Sequence, residues 1–207
     1  MTVSVVLADA NILFSRTLRD YFLYAADAGA IEVHWSQQIL DEMSRNLRGR
    51  LRLDQAATDH LEALMNDYLE DALVEVGVDA LATAAGVTMD AKDRHVLAAA
   101  LSADADVLVT ENTRHFPQAW MMENGIELMN AGQLLTRLSE THPDKILQAH
   151  QKTIRNSSRS EAEILTTLEK IVGNAVANRI RSLSQAAVDG GMPTKSGAVS
   201  PAGDERL

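Results

Sequence analysis

Residues 90–112 read DAKDRHVLAAALSADADVLVTEN, and this stretch decides the fold. Its first half spaces apolar residues three and four apart, as along one face of a helix that Asp90 would cap. Its second half contains an apolar run at residues 107–110, which is typical of a strand buried on both faces of a sheet. A helix followed by a buried strand is the repeating unit of an α/β protein, so the stretch predicts that class.

The same alternation of strand and helix continues on both sides of this stretch. Short apolar runs predict four further strands, at residues 3–7, 31–35, 85–88 and 126–129. Residues that commonly cap helices precede several of the predicted helical stretches. They are Ser36, Asp54 and Asn130. We therefore predict an α/β fold with a central parallel sheet of four to five strands flanked by helices.

Toward the C-terminus the pattern changes from alternating strands and helices to helices alone. Ser160 and Glu163 form a capping box, and apolar residues spaced three or four apart follow it. The end of the chain is rich in Gly, Pro and Ser. We predict an α/β domain at residues 1–140, a C-terminal helical extension at 141–187 that packs on the domain or on a partner, and a disordered tail at 188–207.

Composition narrows the functional classes that the chain can belong to. The 207 residues include no cysteine, which excludes disulfides, thiolate catalysis and cysteine zinc sites. Only 4% of the residues are aromatic, so base-stacking platforms would not dominate a nucleic-acid interface. The N-terminus lacks a basic segment, and no run reaches the roughly 20 apolar residues that a membrane span needs. These features predict a cytoplasmic protein without a membrane partner.

The net charge of −10 is distributed unevenly along the chain. Residues 1–140 carry 22 acidic and 10 basic side chains, whereas residues 145–181 carry 7 basic and 3 acidic ones. A chain this acidic can bind a nucleic acid only if its carboxylates serve a local purpose, such as holding a metal ion, and its phosphate contacts come from elsewhere. Arg155 and Arg159 in the extension are candidates for such contacts. A second basic cluster lies beside Glu42, with arginines at positions 45, 48, 50 and 52. For any single arginine, a solvated surface position is the alternative.

Acidic and amide side chains occupy similar places in several predicted elements. Asp9 directly follows the first strand, and Asn112 follows a later one. Asp90 and Asp93 stand three apart at a helix start, and Glu42 lies in the helix after the second strand. Parallel strands end at one edge of a sheet, where ligands of such folds bind, so we expect these side chains to meet in one cleft. Oxygen ligands of this kind suit Mg²⁺ or Mn²⁺, and such an ion polarises a phosphodiester and activates a bound water.

Each of these residues has an ordinary structural explanation when it is considered alone. Asp90 stands in a typical position for a helix cap, and Asn112 in a typical position for a turn. Glu42 alone would most often be an exposed helix residue. The prediction of a catalytic cleft therefore depends on the whole set of acids and not on one of them.

Three groups of residues resemble the motifs of a known family. Residues 90–117 are similar to the third and fourth motifs of the PIN-domain nucleases, and residues 7–13 are similar to the first. Glu42 in its helix is similar to the second. Within that family, the chain resembles the VapC-type ribonuclease toxins of bacterial toxin–antitoxin pairs, in a longer subtype with a helical C-terminal extension. The resemblance covers roughly residues 3–138.

This resemblance implies an Mg²⁺- or Mn²⁺-dependent endoribonuclease, in which a metal-activated water hydrolyses RNA phosphodiesters. By position, Asp9, Glu42 and Asp93 would be the principal catalytic acids and the metal ligands. Asp90 would be an accessory acid. Asn112 stands where many relatives have Asp, which weakens a second metal site. The family also implies a cognate antitoxin as a protein partner, and its members often form homodimers.

Residues near the fourth motif are the expected substrate contacts, together with the two arginines of the extension. They are Thr110, Arg114, His115, Arg155 and Arg159. Two other functions stay open. A PIN module that binds RNA or protein without cleaving is one of them, because of Asn112. A structure-specific DNA nuclease is the other, because an acidic cleft does not distinguish ribose from deoxyribose.

Overall fold

The computed structural model describes residues 4–189, and a parallel sheet forms its centre. The strands within the described residues are β1 (Ser4–Ala8), β2 (Ile31–His34), β3 (Val107–Val109) and β4 (Glu127–Met129). They lie in the order β2-β1-β3-β4, and every neighbouring pair is parallel. The predicted α/β class, with a central parallel sheet flanked by helices, is therefore confirmed.

Eleven α-helices flank and follow the sheet within the described residues. They are α1 (Ala10–Phe14), α2 (Arg16–Asp27), α3 (Gln37–Leu51), α4 (Gln55–Tyr68), α5 (Val78–Gly86), α6 (Arg94–Ser102), α7 (Gln118–Glu123), α8 (Ala131–Thr141), α9 (Pro143–Arg155), α10 (Glu161–Val172) and α11 (Asn174–Asp189). Single 3-10 turns precede α6 and α7, at Ala91–Asp93 and Thr113–His115. The predicted caps Ser36, Asp54, Asp90 and Asn130 each accept a hydrogen bond from a backbone N–H at the start of a helix or 3-10 turn. These caps explain where the corresponding elements begin.

The prediction of a strand at residues 85–88 is wrong. Its first two residues form the end of α5, which begins at Val78. This segment is rich in alanine, and the helical preference of alanine outweighs the short apolar run that suggested a strand. The sheet therefore has four strands within the described residues, which is the lower of the two predicted numbers.

The helical extension packs on the α/β domain. His142 alone separates α8 from α9, and α9 lies along α2 with Ile146 and Ala149 buried. Leu168 of α10 and Ile180 of α11 belong to the same apolar core as the strands. The predicted division at residue 140 stays a prediction. Of the predicted tail at 188–207, the first two residues end α11, and residues 190–207 lie outside the described part of the chain.

The carboxyl ends of the strands position the functional side chains. Asp9 follows β1 and its backbone N–H donates to the carbonyl of Val109 at 3.1 Å, while Thr110 after β3 donates to that of Met129 at 3.0 Å. The first residues beyond β1 and β3 therefore lie side by side. From residue 4 to residue 189, none of the helices combines the length and the apolar character needed to cross a membrane.

Candidate active site

The Asp9 carboxylate is fixed at the end of β1 by hydrogen bonds from three sides. It accepts from the backbone N–H of Ala10 at 2.6 Å, where it caps α1. Its other oxygen accepts from the Thr110 hydroxyl and from the Asn11 amide, each at 2.5 Å. The residue is only 5% exposed, so these bonds replace the water that an exposed carboxylate would have.

Asp9 is electrostatically linked to two other predicted acids. Burial raises the pKa of Asp9, and the hydrogen bonds from Thr110 and Ala10 act in the opposite direction. The negative charges of Glu42 and Asp93 raise the pKa of Asp9 further. The charges of two acids from other segments of the chain therefore act on Asp9.

The structure has an open cleft of about 620 Å³, and Asp9 itself is not among its lining residues. One wall comes from α3, and the other comes from the 3-10 turn before α6 and the start of α6. The lining residues are Gln38, Asp41, Glu42, Arg45, Lys92, Asp93, His95 and Asn112. Glu42, Asp93 and Asn112, which the sequence assigns to one site, thus share one cleft.

Two histidines accompany the acids of the cleft. His95 Nδ1 donates a hydrogen bond to the carbonyl of Lys92 at 2.8 Å. Its Nε2 lies 3.3 Å from Glu42 Oε2, and this contact is favourable when Nε2 also carries a proton. The interaction raises the pKa of His95 and lowers that of Glu42. His115 Nδ1 lies 3.1 Å from Asp93 Oδ2. Each of the two acids therefore has an imidazole ring beside it.

The carboxylate oxygens of the candidate site are chemically suited to bind a hard divalent cation. Within residues 4–189, no three His, Asp or Glu side chains are arranged so that they already converge on one ion. Asp9, Glu42 and Asp93 are the residues that would hold an ion, and in this structure Glu42 and Asp93 each face a histidine. Their oxygen atoms are the ligands that Mg²⁺ prefers, and an ion would relieve the mutual repulsion that raises the pKa of Asp9.

Two predicted site residues lie at the edge of this arrangement. Thr110 is fully buried and holds Asp9, so its hydroxyl serves the acid directly. Asp90 is exposed and is not part of the cleft lining. Its carboxylate accepts from the backbone N–H of Lys92 at 3.2 Å and lies 3.3 Å from the Lys92 ammonium. The role of Asp90 as an accessory acid stays a prediction.

The predicted substrate contacts occupy different surroundings. Arg114 is exposed in the 3-10 turn that also presents His115. Arg155 is exposed at the end of α9, and Arg159 donates to the hydroxyls of Thr17 at 3.2 Å and Thr167 at 3.1 Å. Neither arginine of the extension lines the cleft. Their contacts with substrate stay predictions.

Sequence reasoning missed Asn11 as a site residue. Its amide nitrogen donates to Asp9 and, at 3.0 Å, to Thr110, and its carbonyl oxygen accepts from the backbone N–H of Glu111 at 3.0 Å. Asn11 therefore links the loops after β1 and β3. The signal that could have found it is its position two residues after the acid, on the first turn of the capped helix.

The structure also separates the arginines of the second basic cluster. Arg48 donates to the Thr58 hydroxyl at 2.8 Å, and Arg50 lies over the ring of Phe14, 5.7 Å from its centre. Arg45 instead lines the cleft, one turn of α3 after Glu42. The sequence alone does not show which of these arginines lines the cleft, because this depends on the elements that pack beside α3.

Comparison with known families identifies the family of the chain. A family model described as a PIN domain matches residues 5–114, which is more than half of the chain and includes Asp9, Glu42, Asp93 and Asn112. Among curated proteins, no significantly similar sequence was found. The chain therefore belongs to the PIN-domain family, whose members are typically nucleases and generally depend on a divalent metal ion.

Proposed function

We propose that this protein is an endoribonuclease that hydrolyses RNA phosphodiesters with Mg²⁺ or Mn²⁺. One observation carries the proposal: Glu42 and Asp93, from separate segments, line one open cleft, and their negative charges also act on the buried Asp9. Carboxylates gathered in this way repel one another unless a cation or a proton joins them. A metal-dependent nuclease uses such a cation in catalysis.

The residues of the chain have distinct roles in this proposal. Asp9, Glu42 and Asp93 hold the ion, with Asp90 as an accessory acid. When it is bound, the ion supplies a water with a lowered pKa and stabilises charge on the phosphodiester oxygens. Asn112 orients water or substrate through its amide, which is compatible with a single ion.

The proposal extends to the biological setting. The protein is the toxin of a toxin–antitoxin pair, acts in the cytoplasm where its RNA substrate is, and is silenced by a cognate antitoxin that covers the cleft. It forms a homodimer. A PIN module that binds without cleaving is the second candidate, and Asn112 in place of the usual acid is the feature that favours it.

The test uses purified protein and total cellular RNA, with DNA in a parallel reaction. We expect cleavage of RNA with Mn²⁺ or Mg²⁺, no cleavage with EDTA, and products with 5′-phosphate and 3′-hydroxyl ends. Asp9→Asn and Asp93→Asn should lose at least about 100-fold in activity, because ligands matter more than their outer partners. Asp79→Asn on the exposed face of α5 is the matched control.

The outcomes separate the candidate functions. Equal cleavage by the wild type and both site variants would point to a contaminant or another site and contradict the proposal. Cleavage of DNA but not RNA would favour the structure-specific DNA nuclease. RNA binding without cleavage would favour the non-cleaving module. Growth arrest by the wild type but not by Asp93→Asn, relieved by the product of a neighbouring gene, is the expected result for a toxin.

A further inference from the structure

Helix α4 does not line the cleft, but it packs on α3, the helix that carries Glu42 and forms one wall of the cleft. Ser44 follows Glu42 by two residues and is buried, and its hydroxyl donates to the Glu62 carboxylate of α4. The other oxygen of Glu62 accepts from the side-chain amide of Gln37, at the start of α3, at 3.1 Å. Helix α4 therefore holds α3 on both sides of Glu42 along the chain.

Little of α4 is buried, although it supports a wall of the cleft. Only two of its fourteen residues are buried. Polar contacts hold its last turn, where the Trp35 indole N–H donates to Asn66 at 2.9 Å and the Lys152 ammonium donates to the Tyr68 hydroxyl. A helix with so little buried apolar surface opens locally more easily than the core does, so these polar contacts contribute strongly to its position.

Lys152 belongs to α9 of the helical extension, and several groups enclose its ammonium. It lies 3.0 Å from an Asp27 oxygen, 4.8 Å from the centre of the Tyr68 ring and 5.3 Å from the centre of the Tyr24 ring. The two tyrosine rings meet edge to face at 5.9 Å, and the Tyr24 hydroxyl accepts from Asn156 at 3.0 Å. The Lys152 side chain is only 29% exposed, so water screens these contacts less than those of a fully exposed pair.

We propose that Lys152 is a positioning residue through which the helical extension fixes α4, and with it the α3 wall of the cleft. This inference rests on the proposed function and concerns how its site is held, because Glu42 belongs to that wall. The contacts are continuous, since Lys152 binds Tyr68 of α4 and Glu62 of the same helix binds α3. Loss of the Lys152 contacts should leave the chain folded but loosen the wall, so that Glu42 and Asp93 are held less precisely on the two walls.

The same helix of the extension supplies a matched control. Lys145 of α9 also binds the α/β domain, where its ammonium donates to the carbonyl of Gly29. Gly29 precedes β2, whereas Asn112 of the cleft lies beyond the carboxyl end of the parallel strand β3, so the two lie at opposite ends of the sheet. Lys145→Met and Lys152→Met each remove one lysine contact between extension and domain, and only Lys152→Met releases α4.

The first measurement is amide hydrogen exchange in the wild type, Lys152→Met, Lys152→Arg and Lys145→Met. We expect Lys152→Met to speed exchange in α4 and α3 by at least about threefold, because local opening of these helices becomes easier while β1 and β3 keep their protection. Lys152→Arg keeps a cation between the two rings and should restore slow exchange. Lys145→Met should leave exchange in α3 as in the wild type.

The second measurement is Mn²⁺ affinity and RNA cleavage by the same proteins. Lys152→Met should lower both by about 3- to 30-fold, the range that coupling between separate sites commonly spans, whereas Lys145→Met should lower neither. Tyr68→Phe removes the hydroxyl that Lys152 binds. Because both substitutions act on the same contact, the double variant should lose no more than Lys152→Met alone.

The outcomes distinguish this inference from the proposed function. Equal exchange in α3 for Lys152→Met and Lys145→Met, or additive losses in the double variant, would overturn the inference while leaving the nuclease function standing. Failure of the wild type to cleave any nucleic acid would overturn the proposed function alone, because hydrogen exchange tests the role of Lys152 without a substrate.

Discussion

Two Glu–His pairs occur in different regions of the molecule, and their comparison shows how surroundings determine the role of a side chain. In the cleft, His95 Nε2 lies 3.3 Å from Glu42. In the interface between the α/β domain and the extension, His150 Nε2 lies 3.1 Å from Glu161. The two distances are nearly equal. The exposed fractions of the histidine side chains are not, at 20% for His95 and 0% for His150.

The two histidines respond to their carboxylates in opposite ways. The interaction with Glu42 raises the pKa of His95, whereas burial lowers the pKa of His150 despite Glu161. The Tyr21 hydroxyl lies 2.6 Å from His150 Nδ1 and can donate to it, which leaves the proton on Nε2 for Glu161. A neutral His150 thus completes a buried hydrogen-bond chain, while the raised pKa of His95 favours its protonated form in an open cleft.

The two Glu–His pairs therefore have different roles: one stabilises the structure, and the other belongs to the chemistry of the cleft. Tyr21 belongs to α2, His150 to α9 and Glu161 to α10, so this chain joins the domain to the extension. Ser184 of α11 also donates to Glu161, at 2.8 Å. In contrast, the cleft pair can be exchanged for a metal ion or a substrate. We therefore expect substitutions in the interface pair to affect stability and those in the cleft pair to affect activity.

The largest expected effect on stability is that of His150→Ala. It leaves a cavity in the interface and removes the partners of Tyr21 and Glu161, which should lower the free energy of unfolding by about 3 kcal/mol. His95→Ala is the matched variant in the cleft and should cost about 1 kcal/mol or less. Chemical denaturation of both variants measures the difference. Equal losses would mean that the two pairs do not differ as described.

A smaller effect is expected for Asn11, the site residue that sequence reasoning missed. Asn11→Ala removes the amide that donates to Asp9 and Thr110, and outer partners of metal ligands typically contribute about 10- to 100-fold to activity or metal affinity. Asn178→Ala on the exposed face of α11 is the control. Metal-dependent cleavage and a metal titration should change together. An Asn11→Ala protein with wild-type activity and affinity would show that Asp9 needs no such support.

The smallest expected effect is on the pH dependence of stability. Burial holds the pKa of His150 below its ordinary value of 6.5, so below that pH the unfolded chain binds a proton that the folded protein does not. The free energy of unfolding should therefore decrease as the pH falls through this window, and His150→Gln should reduce the decrease between about pH 7.5 and about pH 5.5. Denaturation at several pH values tests the sign. A wild type that becomes more stable relative to His150→Gln on acidification would contradict it.

The fold could be predicted from the sequence to a large extent because its signals are local. The apolar runs of β1 and β3 and the caps Ser36 and Asn130 mark elements that the structure contains. The strand order could not be predicted, since it depends on which strand ends pair across the sheet. The false strand at residues 85–88 arose because a short apolar run is equally compatible with an alanine-rich helix.

The candidate site was predictable where topology alone determines position. Asp9 and Thr110 follow parallel neighbours β1 and β3, so their proximity follows from the sheet. Partners across the tertiary fold were not predictable. Lys152 belongs to the basic stretch at residues 145–181, yet its ammonium lies 3.0 Å from Asp27 and 4.8 Å from the centre of the Tyr68 ring. Nothing in the sequence near Lys152 indicates that α2 and α4 supply these partners.

The central claim is that Asp9, Glu42 and Asp93 form one site for a divalent ion. Calorimetric titration of the protein with Mn²⁺, without nucleic acid, tests it most directly, with Asp93→Asn and the control Asp79→Asn alongside. We predict saturable binding to the wild type and the control, and an affinity at least about tenfold weaker for Asp93→Asn. Equal affinity in all three proteins, or no binding to the wild type, would contradict the account.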